Sequence, residues 1–175
     1  PLFAQALRKE EKKTATTHLD ECSALFSEFS KIASKNPYSW FPSYRSAAEI
    51  AEETTNNRMV GFPYTKYLNS VIRVNMASAF ILMSEGKADE LDVAENKRVY
   101  VHGCSILNDI WNVTERPNFH SSPAIKTCVN QSLDQAEISL SDIKHFDLYS
   151  CFPSAVQIAK KEFTFMRPYT LSLIH

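Results

Sequence analysis

Glycine is almost missing from this chain. Gly61, Gly86 and Gly103 are the only three in 175 residues, roughly a quarter of ordinary usage. A GxGxxG dinucleotide loop or a Walker phosphate loop needs several glycines within one turn, so that backbone can close on phosphate. Loops of those kinds are excluded. Cysteine is scattered as well: Cys22, Cys104, Cys128 and Cys151 form no CxxC or CxH pair. Zinc knuckles and fingers need ligands a few residues apart, so no metal site is expected. Isolated thiols are core residues by type and fit a reducing compartment, and the expected location is cytoplasmic. No run approaches the ~18 apolar residues of a membrane span. The opening Pro1-Leu2-Phe3-Ala4 lacks the pattern of a secretory leader. Neither sign of charge dominates: 19 basic against 20 acidic residues leave −1, no electrostatic ground for binding nucleic acid or an anionic membrane.

What is present is a foldable mixture, 44% apolar and 22% charged, about one domain by length. The chain does not begin with Met, and it closes on Leu171-Ser172-Leu173-Ile174-His175. It is expected to be a fragment of a longer protein. Leu19, Cys22, Leu25, Phe26, Phe29 and Ile32 recur at helical spacing, which predicts a helix over 17–34 with Thr17 and Asp20 as its capping box. Asn36-Pro37 ends it. Ser46 and Glu49 open a short second helix. Between the two lies Pro37-Tyr38-Ser39-Trp40-Phe41-Pro42-Ser43-Tyr44, either a stiff loop folded over the core or the wall of an apolar pocket.

Beyond residue 65 the pattern alternates. Residues 76–83 are a continuous apolar run, as in a strand covered on both faces. A short helix follows over 84–91, then a second strand over 98–104. Ser122-Pro123 is a helix start, and Ala124, Ile125, Cys128, Val129, Leu133 and Ala136 mark its buried face. A third strand over 143–148 runs directly into a last helix lined by Phe152, Ala155, Val156, Ile158, Ala159 and Phe163. Strands alternating with helices predict an α/β layered fold, a mixed sheet covered by helices.

The junction Tyr149-Ser150-Cys151-Phe152 concentrates the chemistry. In open α/β sheets ligands collect at the carboxyl ends of strands, where helix amino termini present unpaired N–H groups. A thiol there feels the positive end of the helix dipole. A phenol there can donate to a developing oxyanion. Packed core residues would explain the same positions. Of the histidines, His102 and His120 are explained by ordinary packing, and His120, ahead of a helix start, is the better site candidate.

The order of these segments resembles the thiolase superfamily, in particular its thiolase-like, sterol-carrier-type acetyl-CoA acetyltransferase branch. Thiolases return from a loop domain through Asn-Ala-Ser-Gly, then an apolar strand ending Met-Ser and a Glu/Lys-rich helix. Here Asn69-Ser70, residues 77–84 and residues 85–91 follow that order. Pro123-Ala124-Ile125-Lys126 resembles the next helix start, and Ser139-Leu140-Ser141-Asp142-Ile143 the following turn. Tyr149-Ser150-Cys151-Phe152 falls where the family carries Asn-Glu-Ala-Phe or His-Asp-Cys-Phe. The likeness spans residues 62–163 and extends back over 36–64.

The resemblance implies a partial αβαβα layered fold, with residues 1–70 a mostly helical loop-domain segment and 71–175 the incomplete second half of the core. It implies Claisen condensation or thiolytic cleavage of acyl-CoA thioesters, with coenzyme A thioester as substrate and no covalently bound cofactor. The implied partners are a second copy, as homodimer, and a small accessory subunit. Tyr149, Ser150 and Cys151 are the implied catalytic positions, and Asn69 and Ser70 substrate-binding ones beside His120. The sequence departs from the pattern at Tyr149, Ser150 and Val71, and carries neither the acyl-accepting cysteine nor the Gly-His-Pro and Cys-x-Gly motifs. Two alternatives stand beside acyl transfer: a thiolase-like aldolase cleaving β-hydroxyacyl-CoA, suggested by the tyrosine, and a non-catalytic thiolase-like subunit.

Overall fold

The computed structural model describes residues 1–163, so residues 164–175, the tail of the expected core segment, lie outside the described ones. The first helix, α1 (Leu2–Glu10), was not part of the sequence expectation. Its signal is short: Ala4 and Leu7 on one face, both buried, with Arg8 and Lys9 in the last turn where cations meet the helix dipole. The second, α2 (Ala15–Ala33), begins two residues before the expected start. Thr14 caps it, accepting from the Thr17 backbone N–H at 3.1 Å, so the Thr17/Asp20 box is not used. The expected apolar stripe faces inward, with Cys22 and Phe29 buried. The third helix, α3 (Ala47–Ala51), starts on the expected reciprocal box: Ser46 Oγ accepts from Glu49 N at 3.2 Å, and Glu49 Oε2 accepts from Ser46 N at 2.7 Å. These bonds hold the Glu49 carboxyl below its ordinary pKa. The hydroxyls of Ser27 and Ser30 donate to the Arg45 carbonyl at 2.8 and 3.1 Å, tying the approach to α3 onto α2.

A hairpin follows, β1 (Met59–Gly61) paired antiparallel with β2 (Tyr64–Thr65) around a cis Phe62-Pro63 bond. Asn57, buried at its base, organises the region. Its amide nitrogen lies 2.8 to 3.1 Å from the carbonyls of Glu49, Ile50 and Glu52, and its Oδ1 accepts from Tyr67 N at 2.9 Å. The last carbonyls of a helix have no intrahelical donor, and here one side chain supplies it. Ala4, Cys22, Ile50, Tyr64 and Leu68 form the core above, with Leu19, Phe26 and Tyr67 packed on it.

Three helices lie in the second part: α4 (Glu85–Glu90), α5 (Pro123–Ala136) and α6 (Pro153–Glu162). All three occupy the positions expected. The apolar face of α5 is half-buried throughout and none of its residues is fully buried. In α6, Val156, Ile158 and Ala159 are buried, but Phe152 at the cap is exposed. Val156 meets Phe29 of α2 in a second core cluster that also gathers Leu148.

The three expected core strands require correction. Residues 76–83, 98–104 and 143–148 form no strand, and pairing among the described residues is confined to β1 and β2. The apolar side chains of the first two runs lie largely open to solvent, with Phe80 89%, Ile81 83% and Val99 94% exposed, whereas Ile143, Phe146 and Leu148 are half-buried. Hydropathy marks a segment suited to burial, whereas a strand also needs neighbouring N–H and C=O groups to complete its ladder. In place of a mixed sheet covered by helices, the described chain is helix-rich with one small hairpin.

Candidate functional site at the entry to the last helix

Residues 149–152 lead into α6 without an intervening loop. Pro153 occupies the first helical position, where its missing N–H is no loss. Ser150 is buried, and its hydroxyl donates to the Phe152 carbonyl at 2.7 Å, which folds the junction sharply. Tyr149 projects outward, 84% exposed. Its hydroxyl oxygen accepts from the half-buried Cys151 thiol at 3.2 Å. The adjacent Cys151 sulfur raises the Tyr149 pKa above its ordinary value. The phenol therefore keeps its proton at neutral pH, and that proton is directed away from the thiol that donates to it.

Asn69 and Ser70 meet this junction. The Ser70 backbone N–H donates to the Cys151 carbonyl at 3.2 Å, and the Asn69 amide is held back on the Thr65 carbonyl at 2.6 Å. Two motifs eighty residues apart in sequence are thus joined by one backbone hydrogen bond. His120 stands elsewhere: its Nε2 lies 3.7 Å from Glu10 Oε2 of α1, and its Nδ1 is buried without a partner. Among the described residues, no hydrogen bond or ion pair links it to the junction. His102 is exposed.

The aromatic loop does not fold over the core. Tyr38 is 87% exposed, and Trp40 lines an open cleft of about 500 Å³ with Ile72, Arg73, Val74 and Asn75. That cleft follows directly on Asn69-Ser70 in the chain.

Sequence reasoning missed the groups beneath the junction. Tyr64, fully buried, accepts from the Ser154 backbone N–H at 3.2 Å and stacks on Phe152, ring centroids 6.3 Å apart. The Cys22 thiol donates to Gln157 Oε1 of α6 at 3.8 Å and lies 3.7 Å from His18 Nε2. Burial pushes both Tyr64 and Cys22 up to about 12, so both stay protonated and neither serves as a nucleophile at neutral pH. The available signal was Tyr64 itself, a tyrosine in a mostly apolar hairpin, whose hydroxyl must find a partner once buried. No group of three or more His, Cys, Asp or Glu side chains among the described residues is placed to hold a metal. No helix among them is long and apolar enough to cross a membrane.

The chain matches the crystal structure of a monomeric SCP2-thiolase like protein type 1 from Mycobacterium smegmatis, with a TM-score of 0.81 at 34% sequence identity. The chain has a thiolase-like fold over nearly all of its length. The match covers 93% of this chain and 35% of that protein, so the chain spans about a third of its thiolase-like neighbour's length. No family model matches the sequence, and no curated protein matches it. The thiolase-like match therefore rests on shape and identity over nearly all of this chain, and on a minority of the neighbour.

Proposed function

We propose that this thiolase-like chain contributes part of the active-site wall of an acyltransferase acting on acyl-CoA thioesters, by Claisen condensation or thiolytic cleavage. In this reading residues 1–70 are the end of the loop domain and residues 71–175 belong to the second half of the layered core. The supporting observation is the Ser70 N–H to Cys151 carbonyl bond, which joins the Asn69-Ser70 motif to Tyr149-Ser150-Cys151.

The chemistry follows from the phenol. Condensation and thiolysis both build negative charge on a thioester carbonyl oxygen, and a preorganised donor aimed at that oxygen lowers the barrier. Tyr149 is exposed, protonated at neutral pH, and already accepts from Cys151, so its own O–H is free to donate to the oxyanion. A hydrogen bond received by a hydroxyl strengthens the one it gives. Cys151 polarises the phenol and does not carry the acyl group. Ser150 sets the turn, and Asn69 and Ser70 border the path of the thioester arm. His120, held near Glu10, has no step in this mechanism. No bound cofactor is needed beyond the coenzyme A thioester, and the acyl-accepting cysteine comes from outside this chain. Homodimeric assembly, an accessory subunit and a cytoplasmic location complete the reading.

The test is turnover of an acyl-CoA thioester by the complete polypeptide. Tyr149→Phe is expected to lower it by roughly tenfold or more, and Cys151→Ala by much less. Unchanged turnover in Tyr149→Phe would remove the phenol from the site. A second reading, retro-aldol cleavage of a β-hydroxyacyl-CoA, is favoured by the phenol standing where the family carries an amide or imidazole. Assaying both thioester classes with the same enzyme separates the two.

A further inference from the structure

The amino terminus of α6 is capped by a residue from the β1–β2 hairpin. In α2, α3 and α4 the N-cap side chain belongs to the helix itself: Thr14, Ser46 and Ser84 each accept a first-turn N–H. At α6 the N-cap is Phe152, whose side chain has no acceptor. The first-turn Ser154 N–H would be left without an intrahelical partner. It donates instead to the hydroxyl of Tyr64, ninety residues earlier, at 3.2 Å. Tyr64 is 1% exposed, so water does not compete for this bond. Its ring lies nearly parallel to that of Phe152, 7° between the planes. One side chain thus holds both the backbone and the cap residue at the point where Tyr149, Ser150 and Cys151 leave the helix.

We propose that Tyr64 is a positioning residue. It fixes the direction of the 149–152 junction, and hence the Tyr149 hydroxyl, by capping α6 from the hairpin. Two further contacts from residues 1–70, Ser70 N–H to the Cys151 carbonyl and the Cys22 thiol to Gln157, hold the same stretch from either side. Neither supplies the missing cap. The catalytic consequence rests on the acyl-CoA reading of Tyr149, whereas the capping role does not.

The experiment uses Tyr64→Phe, which keeps the ring and its stack and deletes only the acceptor. It is made in a Cys104→Ser, Cys128→Ser background, leaving Cys151 as the accessible thiol. Hydrogen exchange over residues 150–157 is expected to quicken by about tenfold, the scale of a lost cap, with exchange in α2 and α5 unchanged. Alkylation of Cys151 by iodoacetamide is expected to shift by roughly threefold as the junction loosens. In the complete polypeptide, kcat should fall with KM for the acyl-CoA unchanged, the sign of a group acting through another in the transition state. Unaltered exchange and alkylation would overturn the proposal. So would an equal rise of exchange in α2 and α5, which would make Tyr64 a general core residue. Exchange and alkylation need no turnover, so failure of the acyl-CoA reading, seen as full activity in Tyr149→Phe, is distinguishable from failure of this one.

Discussion

Residues 1–70 and residues 71–149 solve their backbone accounting in opposite ways. In the first stretch the turns close on buried partners: Asn57 serves three carbonyls of and beyond α3, Thr65 Oγ1 donates to the Ile50 carbonyl at 2.7 Å, and Ser27 and Ser30 hold Arg45. In the second, order is mostly local and outward, with a few longer ties such as the Cys104 N–H to Gln135 Oε1 and the Ser122 N–H to Glu162 Oε1. Ser84 caps α4, Lys87 pairs with Glu90, and the Arg98 guanidinium ties back to Asp89 and the Val93 carbonyl. The apolar runs between these devices remain exposed. Short-range polar contacts can shape a segment, but only partners distant in sequence bury it. The 149–152 junction is one of the places where the two stretches are joined, by the Ser70 N–H to Cys151 carbonyl bond, and the candidate site sits there.

The largest expected effect is at the hub of the first stretch. Asn57→Ala removes the side-chain donor of the Glu49 and Glu52 carbonyls and the acceptor of the Tyr67 N–H, and the cost should be about 3 kcal/mol. A lowered urea midpoint at unchanged slope would measure it. A loss as small as that of a surface substitution would break the comparison, because the first stretch would then owe its order to something other than its closed polar network.

Acid should act on the same stretch. His18 is buried against Cys22, and burial depresses its pKa below 6.5, with Glu11 and Glu21 opposing and Lys13 and Arg8 adding to the shift. In this window the unfolded chain binds more protons than the folded one, so stability is present at and above pH 6.5 and falls as pH drops through the folded-state pKa. The difference in urea midpoint between wild type and His18→Gln should therefore change with pH below 6.5 and be constant above it. A difference constant across the whole range would place His18 outside the core in solution.

How much of this was legible in the sequence depended on range. The caps at Ser46 and Ser84 and the Ser122-Pro123 start of α5 are local chemistry, and α3 to α6 lie where they were expected. The start of α2 was misplaced because two threonines compete for one cap, and Thr14 wins. Helix α1 was missed because two buried residues are too few to show a period. Residues 69–70 and 149–151 could be associated only through the order of family motifs, and the bond between them could not be read from either segment. Tyr64 and Asn57 escaped for the same reason: their partners lie on other elements, where residue type says a partner is needed but not which one. The runs at 76–83, 98–104 and 143–148, which form no strand, show the limit from the other side, since apolar patterning carries no information about the neighbouring strand.

The smallest effect sharpens the comparison most. Ile81 and Val99 are 83% and 94% exposed, so replacing either with Thr removes little area that folding withdraws from water. In the 175-residue chain, Ile81→Thr or Val99→Thr should change stability by less than ~0.5 kcal/mol. If these runs are strands of a layered core in the complete polypeptide, the same changes bury a hydroxyl among apolar neighbours there and should cost about 1 to 3 kcal/mol. Chemical denaturation of both proteins gives the two numbers side by side. Equal, small values would mean that the apolar runs stay uncovered in the longer protein too, and that the division between the two stretches belongs to the fold itself. Unequal values would mean that residues 71–149 are built for partners, and that the junction at Tyr149 acquires its cleft only when those partners are in place.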